Sequence, residues 1–120
     1  ELKGAVDADA ESYDAVMKAY KQAKADPAGS EALVDVALKL ATGVPLKVAE
    51  KAHEVARIAQ SLESVTNPNM KSDLITALAL ARAAITGALA NVEINLASLK
   101  DRDFAAEVRK RVGMVNNSTT

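Results

Sequence analysis

The sequence contains no cysteine, a single histidine and only three aromatic residues, Tyr13, Tyr20 and Phe104. The missing thiols exclude disulfides, thiol nucleophiles and thiolate metal sites, and are compatible with a reducing compartment. With His53 as the only imidazole, zinc or iron would lack the ligands it needs. There is no glycine-rich phosphate loop, no paired histidine spacing and no nucleophile elbow. Asp7, Asp9 and Glu11 are the nearest approach to a magnesium-type acidic cluster, but alternate residues on a helix diverge by about 200°, so no metal is expected. No basic run stands out and the formal net charge is −1, so nucleic acid is not an expected partner.

No secretory leader is expected from the opening residues Glu1 to Asp9, which are acidic where a basic start and an apolar run are required. Leu74 to Leu99 is apolar but contains Arg82, Asn91, Glu93 and Asn95, which argues against a membrane span. The expectation is a soluble, cytoplasmic protein. The sequons at Asn116 and Asn117 are then incidental.

Alanine supplies 25 of the 120 positions. With so few aromatics, the core must be built from Leu, Val, Ile, Met and Ala, which favours closely packed helices. Val6, Ala10, Tyr13, Met17, Tyr20 and Ala23 recur at steps of three and four and predict a first helix with one apolar stripe. Asp26 to Ser30 breaks it, with Ser30 as a suitable N-cap. Leu33, Ala37, Leu40 and Val44, then Val48, Ala52, Val55, Ala59 and Leu62, keep one register through Gly43 and Pro45, so a single long bent helix is preferred to two. Thr66 to Asn69 is the next turn.

A third helix is expected from about Ser72 to Leu99, with Leu74, Leu78, Ala81, Ile85, Ala88 and Val92 inward. A fourth follows Asp101, with Phe104, Val108 and Val112 inward, and the stretch from Val115 to Thr120 carries no pattern. No strand alternation competes. The predicted fold class is all-α, an antiparallel bundle of long alanine-rich helices forming one domain over residues 1–120. The chain starts at Glu1, already within a helical pattern, which suggests a fragment. A four-helix piece this rich in small residues leaves apolar surface uncovered, so at least a homodimer is expected.

Two features point to chemistry. Asn91 and Asn95 stack on one helical face beyond Gly87, among alanines small enough for a flat ligand or another helix to approach the backbone. A buried amide without a partner costs about 1–3 kcal/mol, so the pair implies a polar network or an occupant of matching donors and acceptors. Asp9 shares a helical row with Tyr13, Val16 and Tyr20. A carboxylate held against such an apolar wall is suited to acid or base work near neutral pH, although acids in a first turn also simply favour the helix dipole. Ser72 and Asp73 suit helix capping as well as ligand contact, Lys71 suits a solvated loop edge, and His53 reads as a surface or boundary residue.

The segments Val6-Asp7-Ala8-Asp9-Ala10-Glu11-Ser12-Tyr13, Val44-Pro45-Leu46 with Ala49-Glu50, Asn67-Pro68-Asn69 with Ser72-Asp73, and Asn91-Val92-Glu93-Ile94-Asn95-Leu96 stand in a characteristic order and spacing. Together they resemble the formiminotetrahydrofolate cyclodeaminase and methenyltetrahydrofolate cyclohydrolase family, from Val6 to about Val108. The resemblance implies an all-helical, dimeric, cytosolic folate enzyme of one-carbon metabolism, with no cofactor beyond its tetrahydrofolate substrate. Asp9 matches the aspartate assigned the cyclodeaminase activity. Ser72, Asp73, Asn91 and Asn95 match positions that line or support the folate cleft; Gly87 would belong to its floor, and Lys71 would meet the anionic glutamate tail.

The chain departs from the family pattern at two places. The earlier glycine-rich turn with two helices has no counterpart, and Thr66 stands where glycine is usual. The implied reaction is conversion of formiminotetrahydrofolate to methenyltetrahydrofolate plus ammonia, or hydrolysis of the methenyl compound. Two other readings are a non-catalytic helical interaction module on the same fold and a plain bundle stapled by asparagines.

Overall fold

Buried alanines decide how closely the helices of this chain approach one another. The computed structural model describes residues 2–25, 30–65 and 67–119. Helix α1 is Leu2–Ala25, α2 is Ser30–Leu62, a 3-10 turn covers Pro68–Met70, α3 is Lys71–Ser98 and α4 is Arg102–Thr119. The described residues contain no strand, so the chain is all-α. The expected break at residues 26–29 and the Thr66 departure lie outside the described residues, as do the side chains of Ala23 and Ser30.

Helices α2 and α3 form the main seam. Leu38 and Leu46 of α2 pack with Val92 and Leu96 of α3, Ala49 and Ala52 with Ile85, Ala88 and Leu89, and Ala56 and Ala59 with Leu78 and Ala81. Residue numbers rise along α2 as they fall along α3, so the two helices run in opposite directions. The expected α3 stripe is the one that is buried, extended by Leu89 and Leu96. On α2 the expected stripe is buried only in part: Ala37, Ala52 and Ala59 are buried, Leu33, Leu40, Val55 and Leu62 are exposed, and Leu38, Ala41, Thr42 and Leu46 beside it are buried as well. The reason is that α2 carries partners on two sides and buries more than one stripe.

Pro45 lies inside α2 without ending it. A proline there removes one i→i−4 bond at a cost of about 3 kcal/mol. The core offsets it locally, since Leu38 and Leu46 on either side belong to one cluster. The fully buried Thr42 has its hydroxyl satisfied by donating to the Leu38 carbonyl at 2.6 Å.

Helix α1 overturns the sequence expectation. Its inner face is the small-residue row Ala5, Ala8, Ser12, Val16 and Ala19, while Val6, Tyr13, Met17 and Tyr20 face outward. Small side chains let α1 lie close along α2, and the larger apolar ones are left for another surface. Helix α3 is likewise apolar on nearly every face, long and apolar enough by composition to cross a membrane, yet its buried residues form one half of the seam with α2.

The elbow between α3 and α4 is held by two carboxylates. Asp35 of α2 accepts from the Lys100 and Asp101 amides at 2.7 and 3.2 Å. Asp101 caps α4 by accepting from the Phe104 amide at 3.0 Å and pairs with Lys39 at 2.7 Å. The Lys39 ammonium also sits 5.5 Å from the centre of the Phe104 ring. Arg102 donates to the Leu99 carbonyl. Helix α4 then runs on to Thr119, past the point where the pattern fades, because Val115 continues the Val108–Val112 face onto Ala49 and Ala52.

Removing the Asp35 carboxylate leaves two elbow amides without that acceptor, so Asp35→Ala is expected to cost about 1–2 kcal/mol. Urea denaturation reads the loss, and an unchanged midpoint would rule out the latch. The Lys39 hydrogen bond, followed by the Phe104 amide, holds the Asp101 carboxyl below its ordinary value of 3.8. The same hydrogen bond from Asp101 raises Lys39 above 10.5. A lowered acid stabilises the fold above its unfolded value and stops doing so as pH falls through its folded one; a raised base stabilises below its unfolded value and stops as pH rises through its folded one. The gap in melting temperature between the native chain and Asp101→Asn should therefore be flat near neutrality and shrink below 3.8 and above 10.5. A gap independent of pH would mean that the pair contributes nothing.

Candidate functional site

Both α1 and α3 pack on α2, yet among the described residues no Cα of α1 comes within 8 Å of α3. The space between them is a groove of about 380 Å³. Leu38 and Ala41 of α2 form its floor; Asp9, Ser12, Tyr13 and Tyr20 stand on the α1 wall, and Asn91, Asn95 and Ser98 on the α3 wall. A second groove of about 320 Å³ adjoins it and is lined by Val44 and Val48 of α2 with Ala84 and Ala88 of α3. Asp9 and Asn91 line both, so a carboxylate and an amide stand where the two grooves meet.

The spacing along the helices accounts for this arrangement. Asp9 is one step away from the row that seats α1 on α2, and Asn91 and Asn95 flank the buried Val92 and Leu96 on α3. Each side chain therefore emerges at the lip of the cleft. Asn91 is exposed and Asn95 half-buried, which corrects the expectation of a buried amide pair: the pair lines a cleft open to solvent. Asp9 is exposed as well, so within this chain it is not enclosed by an apolar wall.

The other sequence candidates are not brought together with these. Gly87 is exposed with open space around it and lines neither groove; Ala84 and Ala88 take that part of the surface. Lys71, Ser72 and Asp73 form the exposed first turn of α3, and at about 1.5 Å per residue they lie roughly 27–30 Å from Asn91 along the helix axis. Ser72 and Asp73 do not cap the helix either. The cap position is Met70, which makes no side-chain cap bond, and Asn67 caps the 3-10 turn instead by accepting from the Asn69 amide. His53 is half-buried with a buried Nε2. Among the described residues no group of three or more His, Asp or Glu side chains could hold a metal.

The sequence reading missed Tyr13, Tyr20 and Ser12 as cleft residues. Both tyrosines fitted an inward stripe, and two of the chain's three aromatics seven residues apart on one face look like core. The signal that could have separated them is the competing row of small residues, Ala5, Ala8, Ser12 and Ala19, which suits a close helix–helix contact better than a face carrying two bulky rings.

The sequence also matches known proteins. Residues 1–114 match the family described as Formiminotransferase-cyclodeaminase. A methenyltetrahydrofolate cyclohydrolase of Methylorubrum extorquens is 37% identical over 114 residues, covering 92% of this chain and 55% of the relative. The formimidoyltransferase-cyclodeaminase of Sus scrofa is 35% identical over 114 residues, 92% of this chain and 21% of the relative. That of Gallus gallus is 34% identical over 115 residues, 93% of this chain and 21% of the relative. The chain thus spans about half of the bacterial cyclohydrolase and about a fifth of the two vertebrate proteins. With four helices, a cleft between α1 and α3 and a match along nearly its whole length, the chain belongs to the formiminotransferase-cyclodeaminase family.

Proposed function

We propose that the cleft binds a tetrahydrofolate carrying a one-carbon unit and that Asp9 moves the proton in its cyclisation or hydrolysis. The observation that carries this reading is the meeting of Asp9 and Asn91 at the junction of two grooves, with Asn95 on the same wall as Asn91. A reduced pterin is flat and edged with amide-like donors and acceptors. Asparagine amides match such an edge in both directions, and the Tyr13 and Tyr20 rings offer broad apolar surface opposite.

In the cyclodeaminase direction, the neighbouring substrate nitrogen attacks the formimino carbon. A new carbon–nitrogen bond forms, the bond to the departing nitrogen breaks, and ammonia leaves. Asp9 takes the proton from the attacking nitrogen and returns it to the leaving amine. In the cyclohydrolase direction the same carboxylate takes a proton from the water that attacks the methenyl carbon and gives it to the substrate nitrogen whose bond to that carbon then breaks; the hydroxyl proton goes to solvent and a formyl group is left on the other nitrogen. Help of this kind is worth about 10²–10⁴ in rate, and holding two parts of one substrate together contributes further.

A second layer of protein fits the same proposal. The described fold measures 62 × 26 × 16 Å. Val6, Leu40, Leu80 and Ile94 are all more than three-fifths exposed. Homodimerisation would cover such surface and close the cleft, consistent with a cytoplasmic enzyme. The rival is a non-catalytic interaction module on the same fold, favoured by the openness of the grooves and the exposure of Asp9. Calorimetry with methenyltetrahydrofolate separates them: heat of binding supports the folate reading, and a stable oligomer that takes up no ligand supports the module.

Asp9→Asn should lower turnover by about 10²–10⁴ while the substrate affinity stays within a few-fold of the native value. Turnover at the native rate would remove Asp9 from the chemistry. Replacing Asn91 and Asn95 together by Ala should change folding stability by no more than about 0.5 kcal/mol per site and weaken ligand binding by about 1 kcal/mol per lost hydrogen bond. A large loss of stability with intact binding would mark the pair as structural.

A further inference from the structure

A proline inside a helix leaves one carbonyl without its regular donor, and in α2 that carbonyl belongs to Ala41. Pro45 has no N–H, so the bond that would run from it back to Ala41 is missing. Thr42, the nearest hydroxyl, does not repair the gap, because it donates to the Leu38 carbonyl at 2.6 Å. Among the described residues no side chain donates to the Ala41 carbonyl. Ala41 is only 7% exposed, and a backbone acceptor that deep in a protein ordinarily has a partner.

The gap opens at the candidate site. Ala41 lines the first groove and Pro45 the second, while Asp9 and Asn91 line both. Helical carbonyls point along the axis toward the residue four places on, so that of Ala41 points from the first groove toward the second, across the floor of the junction. An ionised carboxylate and a backbone carbonyl can only accept hydrogen bonds. A small molecule with two or more hydrogens and a lone pair complements two such acceptors, and water and ammonia are the two that the proposed reactions use.

We infer that the Ala41 carbonyl, freed by Pro45, holds the water or ammonia molecule that reacts at the one-carbon unit. The inference rests on the folate reading above and deepens it. A water that donates one hydrogen to Asp9 and the other to Ala41 turns its lone pair toward the methenyl carbon. Ammonia leaving in the cyclodeaminase direction meets the same two acceptors. Ala41 orients the small molecule and Asp9 exchanges the proton, while the Asn91 amide is left for the edge of the ring system.

Labelling the whole chain with heavy carbon and nitrogen isotopes makes the Ala41 carbonyl visible by NMR through the Thr42 amide, and accepting a hydrogen bond moves such a resonance downfield. In the free native chain it should stand at an unbonded position, then move downfield at saturating methenyltetrahydrofolate. A shift in ammonium-free buffer identifies water as the donor; one that requires ammonium chloride, and does not occur with sodium chloride, identifies ammonia. Pro45→Ala supplies an N–H that claims the carbonyl, so its resonance should lie downfield without ligand. Turnover by that variant should fall about tenfold, with KM within about twofold of the native value and no fall in melting temperature, a combination that damage to the fold does not produce. The native-chain spectra decide the matter alone if the variant does not fold. An Ala41 resonance already downfield in the free native chain, or native turnover by a folded Pro45→Ala, overturns the inference. Movement of the Asp9 and Asn91 resonances on adding ligand, with Ala41 unmoved, overturns it and leaves the folate reading standing. A spectrum in which no resonance moves overturns both.

Discussion

Everything that shapes this molecule depends on α2 serving as a wall for two helices at once. Its buried positions are dominated by alanine, with Leu38, Thr42 and Leu46 at the centre, so α3 closes against one side and α1 against another. Because α1 seats itself by small residues and α3 by its leucines and valines, each is fixed to α2 without reaching the other. The cleft is the space left over. Its depth is set by the small α2 residue Ala41 beside Leu38, and its walls by whichever side chains of α1 and α3 lie just off the packed rows.

The α3–α4 elbow supports that arrangement from one end. Asp35 reaches from α2 to the backbone just beyond α3, and Asp101 ties the start of α4 back to Lys39 on α2. Asn95 and Ser98 sit on the last turn of α3, immediately before this latch. Their placement at the lip of the cleft therefore depends on carboxylate–amide bonds formed across more than sixty residues of sequence, as well as on packing. The Arg111–Glu50 pair does the same for α4 farther along α2.

The outward apolar residues explain why the fold and the cleft were legible to different degrees. Periodicity located all four helices, the continuity of α2 through Pro45 and the buried stripe of α3, since a row of leucines, alanines and valines at helical spacing has only one useful face when a single neighbour covers it. It misjudged α1 and part of α2, where two apolar rows compete. On α1 the bulkier row is the more conspicuous in sequence, but the close approach to α2 rewards the smaller one. It also ended α4 early, because Val115 is a lone apolar residue among polar neighbours and its burial depends on Ala49 and Ala52 being opposite.

The residues alone determined the helical class and the absence of thiol chemistry, because these follow from composition and periodicity, and the order of four short segments carried the resemblance to the family that the sequence match then showed. Asp9, Asn91 and Asn95 were identifiable as chemically unusual for the same reason. Only the tertiary structure decided that Asp9 and Asn91 share a junction, that Lys71, Ser72 and Asp73 stand far from it, and that Gly87 has no part in the floor. Such juxtapositions depend on how far each helix is rotated about its axis and where it crosses α2. Those quantities are fixed by the match of large and small side chains between helices, which spacing within one helix does not specify.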